Sequence, residues 1–186
     1  MSHTSLYFSQ VIEELNKTVN SIPDESSEAL LNQMMQSGKI FVAGAGRSGL
    51  MGKAFVMRMM HMGLDAYVVG ETVTANLEKG DLLIIGTGSG ETKTLIPIAE
   101  KAKSLGGIVA AVTISPESTI AKIADIVVQL PGSPKEHHES ISQSIQPMGS
   151  LFEQTMLLFY DALILRYMTQ KGLSSSQMYG KHANLE

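Results

Sequence analysis

Cysteine is absent from all 186 residues, which excludes disulfides, thiolate metal sites and a cysteine nucleophile. Clustered Lys and Arg are missing too. With a formal net charge of −4, the chain lacks the basic face that a nucleic-acid binder usually presents, and no nucleic-acid partner is expected. No basic stretch leads into an apolar run after Met1-Ser2-His3-Thr4, so no signal peptide is expected. The longest apolar stretch, Leu151 to Met168, carries Glu153, Gln154, Asp161 and Arg166. Those polar groups argue against a membrane span. The expectation is a soluble, cytoplasmic protein without internal repeats, and the lack of cysteine suits a reducing compartment.

What is present describes a globular chain. Apolar residues make up 44% and charged residues 17%, a balance that buries a core and does not fit disorder. The length fits one domain of ordinary size. Leu6, Ile12, Leu15, Val19 and Ile22 recur at helical spacing up to Pro23-Asp24. Ser26 or Ser27 can cap a second helix that Gly38 ends. Residues 1–37 therefore read as an N-terminal helical arm.

From residue 38 to 130 the pattern alternates. Strands are predicted over 39–43, 66–69, 81–86, 108–113 and 126–130, with helices over 48–62, 93–104 and 118–123 between them. The strands are unbroken apolar runs such as Leu82-Leu83-Ile84-Ile85, which means burial on both faces. The fold class is α/β: a three-layer αβα sandwich on a five-stranded parallel sheet, flavodoxin- or Rossmann-like. Residues 149–186 supply a final helix over about 150–170 and a tail. That helix is apolar almost all round, and the helix over 48–62 is rich in methionine. Both need a second cover that a chain this small does not offer, so a homo-oligomer is expected.

Two loops carry the chemistry. Gly44-Ala45-Gly46-Arg47-Ser48-Gly49 follows the first strand and opens a helix. It satisfies G-x-G-x-x-G, and Glu71 stands about where a dinucleotide fold places its ribose-binding acid. Taken alone, this loop is compatible with an NAD-dependent dehydrogenase. Thr87-Gly88-Ser89-Gly90-Glu91-Thr92 offers three hydroxyls among two glycines. A pyrophosphate bridge has little use for that density of hydroxyls, whereas a terminal phosphate dianion uses them fully. A pair of strand-to-helix turns built from ordinary Gly, Ser and Thr is the plainer alternative.

The loop Thr87–Thr92, paired with Gly44–Gly49 and its Ser48, resembles the phosphosugar-binding loops of the sugar isomerase (SIS) family. Gln146-Pro147-Met148-Gly149-Ser150-Leu151-Phe152-Glu153-Gln154 and His182-Ala183-Asn184-Leu185-Glu186 are similar to the hexulose-phosphate isomerase branch of that family. The resemblance implies a homotetramer that interconverts 3-hexulose 6-phosphate and fructose 6-phosphate through an enediol, the second step of formaldehyde fixation by the ribulose monophosphate route. It implies a phosphorylated ketohexose as substrate, no cofactor and no metal. Functional coupling to the 3-hexulose-6-phosphate synthase that makes the substrate is left open. Gly46, Arg47, Ser48, Thr87, Gly88, Ser89, Gly90, Glu91 and Thr92 would bind substrate. A non-catalytic phosphosugar-binding module would need these loops and nothing more.

For catalysis the resemblance assigns Glu153 as the base that moves a proton between C2 and C3. Read from the residues alone, Ser150-x-x-Glu153 is a capping box that starts a helix. His182 would close over a site, of its own or a neighbouring subunit, and shuttle protons among sugar oxygens, a task its pKa class suits. Arg47 could pair with phosphate or a sugar hydroxyl, or face solvent. His61, at a helix end, reads as a cation favourable to the helix dipole. The run His137-His138-Glu139 is rejected as a metal site, because adjacent loop histidines rarely converge on one ion.

Overall fold

The structure, a computed structural model, describes residues 2–132 and 144–185. Helix α1 (His3–Thr18) runs through a 3-10 turn into Pro23, which is the N-cap of α2 (Asp24–Gln36). Asp24 and Glu25 occupy the first turn of α2, where acidic groups complement the helix dipole. The helix therefore begins ahead of the serines that the sequence offers as caps, and Ser27 returns its hydroxyl to the Pro23 carbonyl instead.

The alternating region comes next, in order: β1 (Ile40–Gly44), α3 (Gly46–Met62), β2 (Ala66–Val68), β3 (Leu82–Gly86), α4 (Ile96–Ser104), β4 (Ile108–Thr113), α5 (Thr119–Ile123) and β5 (Ile126–Gln129). Then come α6 (Ser150–Lys171) and a short α7 (Ser175–Tyr179) outside the elements predicted from the sequence. The expected helix over 93–104 starts later, because Thr92 first accepts the Leu95 and Ile96 N–H groups in a turn.

All five strands are parallel, in the order β2-β1-β3-β4-β5. The chain moves outward from β1 in one direction and then returns to continue in the other. Right-handed crossovers consequently put α3 on one face and α4 and α5 on the opposite one. Alternate residues of each strand serve the two faces. Ile40, Val42, Leu82 and Ile84 pack with α2, α3 and α6. Phe41, Ala43, Leu83 and Ile85 pack with α4 and α5.

Helix α6 lies beside α3. The Phe55 and Tyr160 rings stack with centroids 4.2 Å apart and planes 2° from parallel, and both helices begin at the same end of the sheet. Ten residues of α6 are buried within the chain. Leu158 and Leu165 nevertheless remain 53% and 63% exposed, as do Met57 and Met60 of α3 at 52% and 40%. That exposed stripe is the part of these helices for which the sequence asks a second cover.

Candidate active site

The strand order reverses between β1 and β3, and ligands of open parallel sheets bind beyond the carboxyl ends at such a point. Both strands end in glycine there, with Gly44 in register with Gly86. A Cβ at Gly49 would stand 2.6 Å from the Gly44 carbonyl oxygen, so this glycine is what lets α3 start flush against the strand. Gly46 adopts φ +57° with open space where a Cβ would be. Its neighbour Ala45 caps α3 without a side-chain hydrogen bond. The first-turn N–H groups, at Gly46, Arg47 and Ser48, thus lack intrahelical partners at the carboxyl end of the sheet, an arrangement suited to an anion.

The second loop is tied to the end of β4. The Gly88 carbonyl accepts from the Ile114 N–H and from the Thr113 hydroxyl, both at 3.1 Å. Thr87 is buried, its Oγ1 lying 3.2 Å from that of Thr92 and accepting the Gly90 N–H at 3.3 Å. Ser89 Oγ accepts the Glu91 N–H at 3.2 Å. Glu91 differs from the expectation made for it. Its carboxylate accepts the Thr119 N–H at 2.7 Å, and hydrogen bonding to Thr119, helped by Lys122, holds it below the usual carboxylate range. The side chain is engaged at the start of α5, which leaves only the backbone of Glu91 to serve the crevice.

Glu153 does not cap α6. The N-cap is Gly149, whose carbonyl accepts the Glu153 N–H at 3.0 Å, while the Ser150 hydroxyl donates back to the Pro147 carbonyl at 2.8 Å. Freed of that role, the Glu153 side chain is 5% exposed and pairs with Arg47 Nε at 2.5 Å. Parallel packing of α3 and α6 makes this possible, because it sets both helix starts side by side. Arg47 is 55% exposed. It therefore reaches from solvent over the uncapped end of α3 to a buried carboxylate.

His182 is elsewhere. Its ring stacks on His61, with centroids 5.3 Å apart, at the far end of α3. At about 1.5 Å per residue, His61 lies roughly 22 Å from Gly46 along the helix. One chain does not bring His182 to Glu153. His61 also departs from its expected part as a cation at a helix end. It is 4% exposed, and burial, with Arg58 and His182 nearby, pushes its imidazole below the ordinary range. Glu71 pairs with Lys53 at 2.6 Å, a partner that sequence spacing did not single out. Among the described residues no group of three or more His, Asp or Glu gathers to hold a metal ion, and none of their helices is long and apolar enough to cross a membrane. His137, His138 and Glu139 lie outside the described residues.

Comparison with known proteins agrees with this architecture. A curated 3-hexulose-6-phosphate isomerase of Bacillus subtilis is 56% identical over 98% of this chain and 99% of its own length. Its counterpart from Mycobacterium gastri is 39% identical over 96% of this chain and 89% of its own. The solved structure of a Methanococcus jannaschii protein, whose function was inferred to be that of a 3-hexulose-6-phosphate isomerase, covers 96% of both chains at 35% identity with a TM-score of 0.80. The SIS domain model matches residues 33–164, from the last turns of α2 to the middle of α6. The chain belongs to the SIS domain family.

Proposed function

We propose that this protein isomerises 3-hexulose 6-phosphate to fructose 6-phosphate through an enediol, as a step of formaldehyde fixation by the ribulose monophosphate pathway. Relatives named 3-hexulose-6-phosphate isomerase support the reaction. The observation that carries the assignment of its base is the buried Glu153 carboxylate, held by Arg47 beside the uncapped start of α3. A sugar whose phosphate rests against Gly46, Arg47, Ser48 and the loop Thr87–Thr92 would extend its carbon chain past that carboxylate. Residues 1–186 act as a single SIS unit: an arm (1–37), the α/β core (38–130), and the last helix with its tail (149–186).

The chemistry needs one base and a source of protons for the oxygens. Glu153 takes the proton from C2 of the 3-ketose. The electrons of that bond form the C2=C3 double bond, and the C3 carbonyl oxygen is protonated to complete the enediol. Return of a proton to C3, with loss of the proton on O2, yields the 2-ketose. Arg47 has to leave Glu153 for this, and the incoming phosphate or a sugar oxygen offers it a new partner.

His182 of a neighbouring subunit fits the part of the oxygen proton shuttle, since one chain holds it far from Glu153. This makes the working unit an oligomer, a homotetramer in our reading. The cycle calls for no cofactor, and its substrate would come from a 3-hexulose-6-phosphate synthase.

Incubation with fructose 6-phosphate in deuterated water, without nicotinamide, tests the base directly. Glu153→Gln should lower kcat and carbon-bound deuterium incorporation by roughly 10²–10⁴-fold with KM largely kept, as for a lost general base. An unchanged kcat would return Glu153 to a structural part.

A further inference from the structure

The N-terminal arm is wired to the turn that opens α6. Glu14 of α1 receives three hydrogen bonds from residues far away in sequence. Its Oε1 accepts the Ile145 N–H at 2.7 Å, and its Oε2 accepts the Ser144 hydroxyl at 2.6 Å and the Gln146 side-chain amide at 2.9 Å. The Ser144 hydroxyl also accepts the Gln146 N–H at 3.0 Å, so residues 144–146 close around one carboxylate.

The turn at Pro147–Gly149, just past this clasp, has little local support. Met148 is the single non-glycine residue with positive φ among the described residues, at +57°. Such a conformation costs roughly 1 kcal/mol or more and persists where its surroundings over-determine it. The N-cap Gly149 contributes no side-chain hydrogen bond. From within, the turn is braced through one acceptor alone, the Pro147 carbonyl, which takes the Ser150 N–H at 3.3 Å and the Ser150 hydroxyl at 2.8 Å. Beyond the strained Met148 come Phe152, buried against the sheet, and then Glu153. The angle and register at which α6 enters, and with them the position of the Glu153 carboxylate, depend on what holds residues 144–146.

We propose that Glu14 is a positioning residue for the isomerisation, clasping residues 144–146 so that α6 delivers Glu153 in register with the phosphate loops. The proposal rests on the reading of Glu153 as the base. Glu14 touches neither the crevice nor the reacting atoms, so it acts through the Pro147–Gly149 turn. A carboxylate suits the task because it only accepts, and three donors converge on it. An amide of the same shape would present an N–H₂ group to at least one of those donors.

The test compares Glu14→Gln, Gln146→Ala and Glu153→Gln in steady-state assays, with fructose 6-phosphate carrying deuterium at C3 as the probe. Misplacing a reacting group by about 1 Å can cost up to roughly 10²-fold. Glu14→Gln should therefore lower kcat about tenfold, leave KM within about twofold, and enlarge the primary isotope effect on kcat. Gln146→Ala should shift the same quantities less, and it carries the test if Glu14→Gln fails to fold. A general loss of stability would reduce the amount of active enzyme without changing the isotope effect. An unchanged kcat, or a lower kcat with an unchanged isotope effect or a matching rise in KM, would overturn the proposal. Glu153→Gln reports separately on the base: if that variant keeps full kcat, the reading of Glu153 falls whatever the Glu14 variants do.

Discussion

Two glycines with nearly the same backbone conformation predict different outcomes. Gly46 at φ +57° and Gly90 at φ +66° both sit where an L side chain is strained. A Cβ at Gly46 meets nothing within 4 Å, whereas one at Gly90 would fall 1.9 Å from Ser118 Oγ and 2.4 Å from Ser118 Cβ. Ser118 cannot retreat freely, since it caps α5 by accepting the Ala121 N–H. Gly46→Ala should cost only the backbone strain, about 1 kcal/mol. Gly90→Ala adds overpacking and should cost about 2–4 kcal/mol in denaturant unfolding. In activity the order reverses in kind: Gly46→Ala should raise KM with modest destabilisation, because its open side is the proposed phosphate seat. Equal unfolding midpoints for the two variants would refute the distinction. Both glycines were legible as loop residues in the sequence. Which one is crowded was not, because Ser118 reaches Gly90 from another strand's connection. Glu153 teaches a similar limit, since Ser-x-x-Glu reads as a capping box wherever it occurs. Only the turn at Pro147–Gly149, which follows the residues that Glu14 holds, makes Gly149 the cap and frees the glutamate side chain from that role.

At the scale of elements, the parallel strands were the easiest to read, because burial on both faces leaves a run such as Leu82–Ile85 with no polar member. Element ends moved by a few residues where a turn or proline intervened, as at Pro23 and Thr92. Helix α7 was missed for its brevity, although Ser174 and Gln177 form a full capping box around its start. It matters because it helps lay His182 on His61. His61 is buried and its imidazole is pushed below the ordinary value of 6.5, first by burial and then by Arg58 and His182. A group with a depressed folded-state pKa binds its proton more readily once exposed. Its contribution to docking is therefore complete above about pH 6.5 and is lost as the pH falls from there towards the lower folded value. Hydrogen exchange over residues 174–182, corrected for its intrinsic pH dependence, should rise as the pH drops below about 6.5. His61→Phe keeps an aromatic platform and should remove that rise. Exchange that is flat between pH 7 and 5 in the parent protein would contradict the assignment.

For the whole molecule, the fold and the reaction class were legible in the sequence, while the separation of Glu153 from His182 along α3 was not. Glu153 stands at the start of α3 and α6, and His182 rests at the other end of α3. If both belong to one catalytic centre, that centre joins two subunits. The exposed Leu158 and Leu165 of α6 and Met57 and Met60 of α3 provide apolar surface for such an assembly. The arrangement has a consequence that a monomer cannot imitate. Glu153→Gln chains and His182→Asn chains should each be nearly inactive alone. Unfolded together, mixed in equal amounts and refolded, they should form hybrid sites in which Glu153 comes from one parent and His182 from the other. For random assembly with one residue donated by each of two neighbours, roughly a quarter of the sites carry both native residues. The mixture should then regain roughly a quarter of the parental kcat per site. Light scattering on the mixture confirms that it assembles like the parent. No recovery from an assembled mixture would mean that the two residues are not shared between subunits, and His182 would then leave the catalytic scheme while Glu153 could keep its place.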